Sequence, residues 1–107
     1  MTTPLKTMNP LKRFKKGSII VHILYHAEKE EFYGSWLKKE LSTHGYEISY
    51  GTLYPWLNRL ELSGYLISTE RTVKGKNRKY YSTTEKGKQT LEAMKEYLKE
   101  LYNEVME

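Results

Sequence analysis

The chain has 107 residues, 38% of them hydrophobic, which suits one small domain with a modest core. It has no cysteine, which excludes a disulfide framework and a thiolate metal site, and no apolar run approaches the about 18 residues of a membrane span. A formal net charge of +5 favours a polyanionic partner, and the absence of a signal-peptide pattern makes a soluble, cytoplasmic protein with no membrane partner the expectation.

Residues 1–10 are polar, carry Pro4, and read as a mobile arm. A first helix is expected from Leu11 to about Glu28, with Ile19, Ile20, Ile23, Leu24 and Ala27 on one face. Glu28, Glu30 and Glu31 read as a solvated connector. A second helix is expected from Tyr33 to about Thr43, where Tyr33, Leu37 and Leu41 share a stripe and Gly45 offers a stop. Ser49 is a natural N-cap for a third helix, and Gly64 a natural end.

The chain then changes character. "YLISTERTV" and "RKYYSTT", rich in β-branched and aromatic residues, flank "KGKN" and read as a hairpin. Thr84 caps a last helix that runs close to the C-terminus. Helix, helix, helix, hairpin, helix is the winged helix-turn-helix order, an α+β fold: a domain over residues 11–84 and a C-terminal helix over 85–107. In that order the third helix enters the major groove and the hairpin wing reaches adjacent backbone.

The third helix, "ISYGTLYPWLNRLE", contains two residues that helices avoid. An interior Gly costs about 1 kcal/mol relative to Ala, and an interior Pro about 3 kcal/mol. At about 100° per residue, Leu53, Leu57 and Leu60 form one stripe, with Tyr50 and Trp56 beside it. Gly51, Pro55 and Asn58 fall opposite, with Thr52 and Arg59 at the edge. The poor helix formers therefore face outward, leaving a low strip where another surface can approach the backbone. Ser49, Tyr50, Thr52 and Tyr54 crowd hydroxyls at its N-terminal end, a chemistry suited to phosphate and base edges. Ser49, Tyr50, Thr52, Tyr54, Asn58 and Arg59 form the candidate readout set, Tyr50 and Tyr54 being shared between core and contact roles.

Charge is distributed unevenly. Residues 1–20 hold Lys6, Lys12, Arg13, Lys15 and Lys16 without an acid, and Arg71 to Lys88 holds seven basic residues against Glu85. Lys74, Lys76, Arg78 and Lys79 surround Gly75 in the hairpin, where bases anchor a nucleic-acid backbone without reading sequence. From Gln89 onward the sign reverses. There Leu91, Met94, Leu98, Leu101 and Val105 recur at 3, 4, 3, 4, a heptad seam narrower than the stripe of a monomeric surface helix. The seam reads as a dimer contact assisted by the first helix, and dimerisation suits a two-fold DNA site.

Little speaks for catalysis. His22 and His26 stand one helical turn apart, and His44 is the only other histidine. With no acid beside them in a clear motif, the pair reads as structural, not as a metal site. No nucleophile elbow, Gly-rich phosphate loop or carboxylate pairing is present, so neither an enzyme nor a cofactor is expected.

Three stretches, "FYGSWLKKEL", "ISYGTLYPWLNRLELSGYL" and "RKYYSTTEKGKQTL", together resemble the PadR family of bacterial winged-helix transcriptional regulators. The Tyr-Gly pair of that family is matched by Tyr33 and Gly34. Its third-helix signature is matched by Gly51 to Pro55, Leu57, Arg59, Leu60 and Glu61, and its wing signature by Arg78 to Tyr81 and Thr84 to Gly87. The resemblance covers roughly residues 18 to 91. It implies a homodimeric repressor that binds operator DNA through the third helix and wing and dimerises mainly through its terminal helix. It further implies release, in some members, by a small aromatic or cationic compound at the dimer interface. The chain resembles the small subgroup with a single terminal helix. Neither Trp36 nor Trp56 lies in that helix, so both read as core or groove-wall residues and no tryptophan-lined pocket is expected there. The competing readings are a winged-helix protein-interaction module and a ligand or metal sensor using His22 and His26.

Overall fold

Asn9 and Pro10 start the first helix. The structure, a computed structural model, describes residues 7–107, so the arm expected over residues 1–10 falls mostly outside the described residues. Asn9 Oδ1 accepts the Lys12 amide at 3.0 Å, and Pro10 takes the first helical position, where its missing N–H costs nothing. Helix α1 spans Pro10–Lys29 and buries Ile19, Ile23, Leu24 and Ala27, four of the five residues on the expected face.

Phe32–Tyr33 then form a two-residue strand, β1, which the apolar spacing assigns in part to the second helix. Two residues carry no period to read. Their strand state comes from pairing with a distant segment, Phe32 opposite Tyr81 and Tyr33 opposite Tyr80. Helix α2 spans Gly34–Thr43 and buries Leu37 and Leu41, ending before Gly45 at φ 86°. Helix α3 spans Tyr50–Leu62, with Leu53 and Leu57 fully buried and Leu60 packed half-buried on the core. Gly64, at φ 87°, turns the chain out of it.

The wing is β2, Leu66–Val73, against β3, Lys76–Thr83, antiparallel from Leu66↔Thr83 to Val73↔Lys76. Its turn is only Lys74-Gly75, both at positive φ (53° and 77°), so Lys76 and Asn77 of the expected turn belong to the strand. Such a two-residue turn matches the twist of the strands it joins. The sheet order is β1-β3-β2. Helix α4 spans Glu85–Val105, with Thr84 Oγ1 accepting the Gly87 amide at 3.0 Å. Four helices and a small antiparallel sheet make the expected winged helix-turn-helix, closed around one core from Ile19 to Leu91.

Close contacts lock this frame, two of them holding α3 and one seating α4. A Cβ on Gly34 would lie 2.6 Å from the Tyr54 ring, so the Tyr-Gly pair exists to let Tyr54 lie flat against α2. Glu61 Oε2 accepts the Ser68 hydroxyl at 2.6 Å and its amide at 3.0 Å, while Oε1 lies 3.5 Å from Lys79 Nζ. That ties the end of α3 to both wing strands. A Cβ on Gly87 would meet the Tyr65 carbonyl oxygen at 2.3 Å, so only glycine lets α4 start beside the base of the wing.

Candidate nucleic-acid interface

Gly51, Thr52, Pro55, Asn58 and Arg59 are all exposed on the outer side of α3, opposite buried Leu53 and Leu57. Among the described residues nothing fills the space over Gly51: a Cβ there would meet only Ser49 Oγ, at 3.8 Å. Pro55 has no N–H for the Gly51 carbonyl, which lies on an exposed helix edge open to solvent. The strip is exposed and backed by the fully buried Leu53 and Leu57.

Ser49 occupies the N-cap position, but its hydroxyl donates to Thr52 Oγ1 at 3.3 Å and makes no cap bond. The turn therefore presents hydroxyls, together with the positive end of the helix, to whatever lies outside. Tyr50 and Tyr54, both 44% exposed, stack on each other at 5.5 Å, and Lys38 Nζ stands 5.5 Å from the Tyr50 ring. Tyr54 is thus committed on one side to Gly34, while Tyr50 stands against Lys38.

Along the wing, the four basic residues divide. Lys74 and Lys76 are exposed at the tip. Arg78 lies over the Tyr33 ring at 4.3 Å, and Lys79 points to the opposite face, toward Glu61. Arg71 lies over Tyr80 at 4.0 Å and pairs with Glu31, so that connector residue holds the wing instead of being merely solvated. The Glu61 carboxyl is held below the usual glutamate range, first by the Ser68 hydroxyl and then by Lys79, against the opposing effect of burial.

Lys12, Lys15 and Lys16, outside the candidate readout and wing residues, also join this face. They line a groove of about 550 Å³ with Ser49, Thr52 and Trp56, and Lys16 Nζ lies 5.7 Å from the Trp56 ring. The acid-free run at the start of α1 was the available signal. Its position beside α3 depends on tertiary packing that no local pattern reveals.

The seam on α4 also divides. Leu91 is buried and Met94 packs on the core, whereas Leu98 and Leu101 are each 45% exposed and Val105 64%. Phe14 of α1, 60% exposed, shares a groove of about 760 Å³ with Leu98, Leu101, Tyr102 and Val105. A larger groove, about 900 Å³, runs between α1 and α4 and is walled by Phe14, Val21, Tyr25, Tyr97 and Leu101. At its end stand His22, His26 and His44, with Glu40. Burial is the first cause lowering the proton affinity of both His22 and His26; nearby His44 and His26 add to it at His22, while Glu40 opposes it at His26.

Residues 23–93 match the family described as "Transcriptional regulator PadR-like family". A transcriptional regulator of Mycobacterium tuberculosis, Rv3488, is 44% identical over 96 residues, covering 90% of each chain. Among solved structures, a PadR family transcriptional regulator from Eggerthella lenta superposes with a TM-score of 0.79 at 34% identity, covering 89% of this chain and 84% of that one. A PadR-like regulator from Bacillus cereus gives 0.80 at 34% identity, with 87% and 92% covered. No described helix is long and apolar enough to cross a membrane.

Proposed function

The chain belongs to the PadR-like family of transcriptional regulators, and from that premise we propose that it acts as a homodimeric repressor on a two-fold operator in the cytoplasm. The observation that carries the proposal is the outer side of α3, an exposed strip whose glycine no internal contact requires. In this reading Ser49, Tyr50, Thr52, Asn58 and Arg59 face the major groove, with Tyr54 as the backing ring. Asn and Arg suit bidentate contact with adenine and guanine edges respectively. Lys74 and Lys76 reach the flanking backbone, and Lys12, Lys15 and Lys16 approach it from the other side of α3. Arg78 and Lys79, engaged by Tyr33 and Glu61, hold the wing at its angle.

The dimer reading rests on the exposed outer half of the α4 seam and on Phe14. An apolar surface of this kind on a small chain is a usual mark of an interface. Leu91 and Met94 serve the core, leaving Leu98, Leu101 and Val105 to meet a second copy. The groove walled by Phe14, Val21, Tyr25 and Tyr97 has the volume of a small-molecule site and an aromatic lining that suits a small aromatic or cationic effector. An effector seated there would act on the spacing of the two recognition helices.

Selection of bound fragments from genomic DNA tests the operator reading. The expected outcome is a palindromic site whose base preference changes with Asn58→Ala or Arg59→Ala, each by about 1–3 kcal/mol at the contacted base. Equal losses on every sequence would remove both residues from the readout set. Dimerisation without DNA binding at low salt would favour the protein-interaction alternative. Leu98→Ala and Leu101→Ala together should shift the chain toward monomer in sedimentation while leaving its helicity intact.

A further inference from the structure

His22, His26 and His44 come together although they are separated in the chain, and the DNA-binding surface uses none of them. His22 and His26 are one turn apart on α1, and His44 follows the last turn of α2. One ring nitrogen from each lies within 4.8 Å of the others. The rings stack, His22 on His44 at 4.9 Å and His22 on His26 at 6.0 Å between centroids. Glu40, one turn before His44, places Oε1 3.3 Å from His44 Nε2 and 3.8 Å from His26 Nε2. His26 Nε2 is buried with no hydrogen-bond partner among the described residues, a cost that a merely structural histidine ordinarily avoids.

We propose that His22, His26 and His44 bind a borderline divalent transition metal of the zinc class, with the Glu40 carboxylate at or beside the fourth position. Three imidazoles and a carboxylate are a ligand set for such ions and a poor one for calcium or magnesium, which take oxygen. Zinc–nitrogen bonds of about 2.0–2.1 Å require tetrahedral ligand atoms about 3.4 Å apart, so the imidazoles close on the ion by small side-chain rotations. Two pairs of ligands spaced one turn apart, on two packed helices, give the site a fixed frame. His44 is half-exposed, which supplies an entry path. Tyr25, Trp36 and Tyr46 pack against the cluster and limit its contact with water. The bound ion would clamp α1 to α2, the helix that carries Gly34 against Tyr54 of α3. The site is defined by its ligands alone and does not depend on the DNA-binding reading.

The test uses the tag-free full chain, freed of metal by a chelator and titrated with Zn²⁺ and with Co²⁺. The expected result is saturation at one ion per chain, a raised melting temperature, and the intense visible bands of a four-coordinate cobalt centre. His44→Ala, at a half-exposed position, should keep the fold and weaken zinc binding at least about 100-fold, more than loss of an outer-shell partner. Glu40→Gln should weaken it about 10- to 100-fold. In the unsubstituted chain, the imidazole nitrogen resonances of all three histidines should shift together on adding Zn²⁺. Absence of saturable binding, unchanged affinity in His44→Ala, or shifts confined to one histidine would each overturn the proposal.

Discussion

The first turns of α3 and α4 look alike in sequence, a hydroxyl residue followed closely by a glycine, yet their surroundings in the fold differ. At α4, Thr84 accepts the Gly87 amide and donates to the Gly64 carbonyl, and Gly87 is crowded by Tyr65 and Thr83. At α3, the Ser49 hydroxyl makes no cap bond and Gly51 has open space above it. One turn is closed by the chain itself and serves the fold. The other is left open on the outside, and in the proposed reading its small residue admits an approaching duplex.

The sharpest way to break that comparison is to add one methyl group at each glycine. Gly87→Ala should destabilise the chain by about 3 kcal/mol in denaturant unfolding, because a backbone carbonyl must move. Gly51→Ala should be neutral or stabilising by up to about 1 kcal/mol, since alanine favours the helix. The same Gly51→Ala change should weaken operator binding about 5- to 150-fold, as an added methyl displaces contacts worth about 1–3 kcal/mol. A stability loss at Gly51 matching that at Gly87 would erase the distinction.

A gentler version uses the caps. Thr84→Ala should cost about 1 kcal/mol or somewhat more in thermal unfolding, whereas Ser49→Ala should cost little, having no backbone amide to release. Glu61→Gln tests how firmly the back of α3 is anchored and should cost about 1 kcal/mol at neutral pH. Its sign with pH is set by the lowered proton affinity of Glu61 in the fold. The stabilisation is present above the unfolded-state value, about 4.3, and is lost as pH falls through the folded value. The deficit of Glu61→Gln relative to the parent should therefore shrink in acid, as pH-dependent unfolding curves would show.

Much of this is legible in the amino-acid sequence alone. The Leu53, Leu57, Leu60 stripe placed Gly51 and Pro55 outward, and the β-branched and aromatic run placed the wing, because both depend on local periodicity. Strand β1 was not legible, since Phe32 and Tyr33 become a strand only by pairing with Tyr81 and Tyr80. Nor were the reasons for Gly34 and Gly87, which lie in contacts with Tyr54 and Tyr65 across the fold. Alternation along β3 separates Arg78 from Lys79, and each then finds an internal partner, which a count of basic residues does not reveal. His44 joins His22 and His26 only when α2 packs on α1.

The most direct measurement of the central claim is operator affinity across a salt series, for the parent chain and for Lys74→Ala with Lys76→Ala. If the outer side of α3 and the wing tip meet the duplex, log affinity falls linearly with log salt in the parent. The slope should then drop by about 1 for each phosphate-contacting lysine removed. A flat dependence in the parent, or an unchanged slope in the variant, would contradict the placement of DNA on this face.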